Sequence, residues 1–185
     1  MRTLLLRSLF LRPVTVAAPR PDAPMPPSED AILAELGRVL EVKARRLFGR
    51  SITIREVDAG SCNGCELEIH ALNNAVYDVE RFGIKFAASP RHADVLLVTG
   101  PVTHNMRTAL ERTYAATPDP KWVIAVGGCA ANGGIFAGSY AVVGGVKDVI
   151  PVDLHIRGCP PSPTELLKGL IALLDSASGK TGHAY

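Results

Sequence analysis

The most regular hydrophobic spacing lies near the start of the chain. Across residues 28–50, Leu33, Leu36, Leu40 and Leu47 fall on one face of a 3.6-residue period. Arg38, Glu41, Arg45 and Arg46 lie elsewhere, so the segment predicts an amphipathic helix. The period then changes. Ile52, Ile54 and Val57 predict a strand that breaks at Ala59-Gly60. Residues 66–79 predict a helix and residues 85–88 a short strand. Asp94 opens Val95-Leu96-Leu97-Val98, a continuous apolar run ended by Thr99-Gly100-Pro101, which fits a strand buried on both faces. Residues 103–116 predict a helix stopped before Pro118 and Pro120. Residues 122–126 predict a second buried strand, ending in Gly127-Gly128-Cys129. Residues 152–156 predict a third, ending in Arg157-Gly158-Cys159. Thr164 is expected to cap a last helix through Leu174, with Leu166, Leu167, Leu170, Ile171 and Leu174 on its inward stripe. Strands alternating with helices predict an α/β domain, a mostly parallel sheet covered on both faces. No internal repeat is present.

Composition narrows the class. A chain of 185 residues, 47% apolar, is the size of one domain or of one domain with an appendage, and its apolar content rules out wholesale disorder. No apolar run reaches the ~18–20 residues of a membrane span. A net charge of +2 gives no nucleic-acid footprint. The charge is uneven: residues 1–50 hold nine Lys and Arg against five acids, residues 51–185 eleven against thirteen. The first twenty residues carry Arg2, Arg7, Arg12 and Arg20 and no acid, interleaved with Leu4, Leu5, Leu6, Leu9, Phe10 and Leu11. Arg7 and Arg12 interrupt what a secretory signal would need unbroken. An organellar transit peptide and an unstructured start both stay open. The favoured reading is a basic amphipathic leader lying on a membrane surface or on a membrane-embedded partner. Six prolines between Pro13 and Pro27 follow as a linker. The expected organisation is a leader and linker at 1–27, a helix at 28–50, a domain at 51–178 and a tail at 179–185.

The chemistry sits with the cysteines. Cys62 and Cys65 follow the first strand, and Cys129 and Cys159 follow two later ones, in the spacing C-x2-C-x63-C-x29-C. In open α/β sheets, sites form beyond the carboxyl ends of the strands, so the four thiols are expected to converge. Any single cysteine is readily a small buried hydrophobe. Two disulfides lack the support of an export signal. Zinc takes four thiolates from compact paired knuckles, and here the second pair is split. An iron–sulfur cluster takes thiolates from scattered loops, and Cys159-Pro160 is similar to the Cys-Pro of ferredoxin ligand runs. Gly60, Gly64, Gly128 and Gly158 are expected to let backbone N–H groups approach the sulfurs. Spacing favours a [4Fe–4S] cluster and leaves zinc open.

Longer motifs carry a resemblance. Ser61-Cys62-Asn63-Gly64-Cys65-Glu66-Leu67-Glu68-Ile69, Arg81-Phe82-Gly83-Ile84, and the stretch from Ser89-Pro90-Arg91 through Thr99-Gly100 form its first part. Gly127-Gly128-Cys129-Ala130-Ala131-Asn132-Gly133-Gly134, Ile150-Pro151-Val152-Asp153 and Gly158-Cys159-Pro160-Pro161-Ser162-Pro163 complete it. Together, over roughly residues 51–175, they resemble the superfamily of the complex I 20 kDa subunit and the small subunits of complex-I-related, membrane-bound [NiFe] hydrogenases. The complex I branch usually has adjacent cysteines in the first motif. The Cys62-Asn63-Gly64-Cys65 spacing resembles the hydrogenase branch instead, especially the formate hydrogenlyase type.

That resemblance implies a flavodoxin-like domain binding one [4Fe–4S] cluster through Cys62, Cys65, Cys129 and Cys159, which decides between iron–sulfur and zinc. Further clusters would need cysteines that this chain lacks. The implied role is electron relay from a ferredoxin-like subunit to the [NiFe] site of a large subunit. The implied setting is a complex with membrane-embedded subunits at the cytoplasmic face of the inner membrane. In the complex I alternative the electrons go to quinone, and a non-redox scaffold is a third reading. Glu68 matches the acid that both branches carry three residues after the second cysteine position, and it is expected on a proton path. An ordinary first-turn acid competes with that reading, and is favoured for Glu66. His70, His92, His104 and His155 have no ligand spacing and are expected to be structural or interfacial.

Overall fold

The computed structural model describes residues 29–180, with side chains placed from 31 to 177. The leader and linker expected at 1–27, and residues 181–185 of the tail, lie outside the described residues. In chain order the helices are α1 (Glu29–Phe48), α2 (Gly64–Ala71), α3 (His104–Ala116), α4 (Gly127–Asn132) and α5 (Pro163–Lys180). The strands are β1 (Ile52–Asp58), β2 (Ile84–Phe86), β3 (Val95–Thr99), β4 (Val102–Thr103), β5 (Trp122–Val126), β6 (Val142–Gly144) and β7 (Leu154–Ile156).

Five strands form one sheet in the order β2-β1-β3-β5-β7, and every pairing in it is parallel. Counted within that sheet the order is 2-1-3-4-5, the flavodoxin-like doubly wound arrangement. The alternation of β3 and β5 builds two cores. Val95, Leu97, Trp122, Ile124 and Val126 face the layer of α1, α2 and α5. Leu96, Val98, Val123 and Ala125 face the opposite layer with Leu110 and Ala130. All ten residues of β3 and β5 are buried, as their continuous apolar runs require.

The first helix docks as its spacing predicts. Leu40 and Ala44 are buried and α1 lies along α5. Phe48 meets Trp122 edge-on, centroids 5.3 Å apart, which fixes the helix end over β5.

The sequence-based expectations need three corrections. The helix expected at 66–79 ends at Ala71, because the Asn74 carboxamide oxygen accepts the backbone N–H groups of Val76 and Tyr77 and turns the chain. The last helix starts at Pro163, and its cap is a reciprocal pair rather than Thr164. Glu165 accepts the Ser162 N–H at 2.8 Å, while the Ser162 hydroxyl accepts the Glu165 N–H. The third strand, expected buried over 152–156, is three residues long, Leu154–Ile156, and lies at the sheet edge with Leu154 half-buried, His155 exposed and only Ile156 buried. A two-stranded ribbon of β4 and β6 is an addition that no pattern predicted.

Candidate metal centre

Three strand ends supply the four thiols. After β1 the Asp58 carboxylate accepts the N–H groups of Gly60 and Ser61, both at 2.7 Å, and folds the loop back on itself. The Ser61 hydroxyl accepts the Asn63 N–H, and Asn63 takes a left-handed conformation at φ 70° to open α2. Cys62 is thereby exposed in the loop, and Cys65 is half-buried in the first turn of α2. Cys129 lies in α4, immediately after β5, and Cys159 follows β7. The Gly128 N–H donates to the Gly158 carbonyl at 2.9 Å and ties these last two loops together.

None of the four is in a disulfide. Burial pushes the Cys65 thiol up to about 12, and the charges of Glu66, Cys62, Cys129 and Cys159 push in the same direction. Burial also raises Cys129, with Cys159 and Cys62 adding to it, while a hydrogen bond from the Ile135 N–H opposes it. Each of these two thiols therefore feels the charge of other cysteines of the set. Among the described residues no three His, Cys, Asp or Glu side chains gather at single-ion spacing. Four thiolates on one tetrahedral ion stand about 4 Å apart, whereas a four-iron cube takes one at each of four corners and spreads them wider.

Two glycines shape the walls. A Cβ on Gly127 would sit 2.7 Å from Cys65 Sγ, and one on Gly134 would sit 2.7 Å from Cys129 Sγ. Both have positive φ, so backbone conformation and space make the same demand. A donor set of four free thiols, with backbone pressed against two of the sulfurs, fits a thiolate-bound iron–sulfur group.

The glycines expected beside sulfur are partly different ones. Gly64 does lie near Cys62 Sγ, which a Cβ there would approach to 3.6 Å. Gly60 packs on Thr103, Gly158 packs on Pro161, and the Gly128 N–H goes to a carbonyl. The Ile135 donor was missed. It depends on the turn through Gly133 and Gly134, which carries Ile135 back over Cys129.

Glu68 is half-buried on α2, and Glu66 is the buried acid. Both carboxylate oxygens of Glu66 lack a hydrogen-bond partner among the described residues. No periodicity marks that difference, because it depends on how α2 lies against β1. His70 is exposed, 3.9 Å from the Glu56 carboxylate, and His155 is exposed on β7.

Comparisons with known proteins agree on one family. Residues 62–173 match the family described as NADH ubiquinone oxidoreductase, 20 Kd subunit. Formate hydrogenlyase subunit 7 of Escherichia coli (strain K12) is 45% identical over 151 residues, 82% of this chain and 58% of the relative. The chain thus spans somewhat over half the length of that relative. A Pyrococcus furiosus protein named "Probable membrane-bound hydrogenase subunit mbhJ" is 46% identical over 130 residues, 70% of this chain and 78% of the other. Among solved structures, a chain of the membrane-bound sulfane sulfur reductase, an archaeal respiratory membrane complex, superposes with a TM-score of 0.64. It is 36% identical, and the match covers 76% of each chain. The chain belongs to the family of the NADH ubiquinone oxidoreductase 20 Kd subunit.

Proposed function

We propose that this chain is the electron-relay subunit of a membrane-bound hydrogenase complex, holding one [4Fe–4S] cluster through Cys62, Cys65, Cys129 and Cys159. The observation that carries the proposal is the origin of four disulfide-free thiols at the carboxyl ends of β1, β5 and β7, within one parallel sheet. The hydrogenase names of the relatives support the setting. So do the two residues between Cys62 and Cys65. The complex I alternative, with quinone as acceptor, draws on the family description.

When bound, the cluster would accept and release one electron at a time. The chain's own residues hold and tune its ligands. Cys65 resists ionisation, so ligation there must release a proton. Gly127 and Gly134 keep side-chain bulk away from two sulfurs. The Ile135 N–H donates to Cys129 Sγ and stabilises added negative charge there. Leu67, Ile135 and Tyr140 are exposed apolar side chains, and Leu67 and Ile135 lie in two of the three cysteine segments, where a large subunit would cover them. That large subunit would contribute the cysteines of the [NiFe] site, and a ferredoxin-like subunit would deliver electrons. Among the described residues no helix is long and apolar enough to cross a membrane. In the proposed complex, membrane-embedded partners would hold the described domain at the cytoplasmic face of the inner membrane. We assign Glu68 to the proton path at the large-subunit interface. Glu68→Gln is expected to preserve iron content and slow hydrogen evolution, and unchanged evolution ends that role.

Serine replacement tests the ligand set. Each of C62S, C65S, C129S and C159S is expected to lose or strongly alter the visible absorbance and iron content of the anaerobically reconstituted chain. Full iron occupancy after two replacements together contradicts the assignment.

A further inference from the structure

Beside the thiols lies an open recess of about 550 Å³ between α4 and β7. Gly128, Ile156 and Gly158 form part of its wall, and Lys147, His155 and Arg157 stand around it. All three of these basic side chains are exposed. No acid lines the recess. The acids nearest in sequence do not line it: Asp148 accepts the Gly145 N–H at 2.8 Å, and Asp153 accepts the Val123 N–H at 2.9 Å. Lys147 and Arg157 therefore place two positive charges on a recess that no acid lines, in a segment, residues 51–185, in which acids outnumber bases thirteen to eleven.

Placement gives that charge its use. The Gly128–Gly158 hydrogen bond forms part of this wall and joins the loops of Cys129 and Cys159. Cys159 itself is exposed. Gly128 and Gly158 are the chain neighbours of Cys129 and Cys159, so a redox partner seated here would lie against the backbone that carries two of the four thiols. Two fixed cations in a recess select a carboxylate and raise the rate of encounter with an acidic surface.

We infer that the Lys147–Arg157 recess is the docking site for an acidic loop, bearing Asp or Glu, of the iron–sulfur subunit that delivers electrons. The inference rests on reading the four thiols as cluster ligands.

Zero-length carbodiimide cross-linking of the purified membrane complex tests it, since the reagent joins an amine to a carboxylate only in direct contact. Mass spectrometry is expected to find Lys147 joined to an Asp or Glu of an iron–sulfur subunit. A Lys147 joined to the large subunit or a membrane subunit overturns the inference, as does one left free while other lysines cross-link. A second arm uses K147E/R157E in the assembled complex, with K147R/R157K as the control. The charge-reversed pair is expected to slow association of the iron–sulfur subunit by about tenfold or more and to flatten its salt dependence, with the control near wild type. Wild-type association in K147E/R157E overturns it. Iron content is read in the same samples: a chain without iron refutes the cluster, while the cross-link still decides the docking site.

Discussion

Gly127 and Gly138 share a positive φ, +85° and +80°, but differ in what a side chain would meet there. At Gly138 nothing lies within 4 Å, so Gly138→Ala is expected to cost only the left-handed strain of about 1–2 kcal/mol and to leave iron binding intact. At Gly127 the added Cβ would sit 2.7 Å from Cys65 Sγ, so Gly127→Ala should also displace a ligand and lose most of the iron. Iron per chain and the thermal midpoint of both variants separate steric displacement from strain, and equal iron in the two contradicts the cradle. Glu56 makes a different residue-scale prediction. Burial raises its carboxyl above the ordinary 4.5, with His70 and Arg55 opposing and Glu66 and Asp58 adding. The folded state then binds that proton more tightly than the unfolded chain does. The cost is absent below about pH 4.5 and grows as pH rises through the folded value. Glu56→Gln is expected to raise the thermal midpoint at pH 7 and leave it unchanged at pH 4. A loss at pH 7 contradicts this.

Among the elements, one buried acid adds a polar tie between the end of α1 and the sheet to the Phe48–Trp122 contact. Asp94 accepts two bonds from the Arg50 guanidinium, at 3.0 and 2.6 Å, and a third from the Thr53 N–H at 2.9 Å. Asp94→Ala is expected to cost about 2–3 kcal/mol in urea unfolding, since charged hydrogen bonds at a buried acceptor are lost together. Leu40→Ala, between α1 and α5, is expected to cost about 2–5 kcal/mol by the same measurement. Elements of this kind were legible in the sequence for a physical reason. The runs of β3 and β5 are apolar throughout because both faces are covered, and the period of α1 shows because only one of its faces is. The β4–β6 ribbon was not legible, since strands of two and three residues carry no period. The end of α2 was not either, because one Asn74 carboxamide outweighed an otherwise helical pattern. At the candidate centre, four thiols at strand ends could be read from residue type and place. Glu66 could not, because its burial follows from tertiary packing and not from spacing.

For the molecule as a whole, six prolines between Pro13 and Pro27 separate the basic leader from the rest of the chain, so removal of residues 1–27 is expected to leave a folded chain and to loosen its hold on the membrane complex. Retention of the truncated chain in washed membranes at wild-type levels rejects an anchoring role for the leader. The central claim is that four thiols from three strand ends hold one iron–sulfur group. Its most direct measurement is Mössbauer and EPR spectroscopy of the anaerobically isolated full chain, alongside metal analysis of the same sample. The account predicts about four irons per chain with the spectrum of a single [4Fe–4S] cluster. One zinc per chain, or a folded chain with no bound iron after reconstitution, contradicts it.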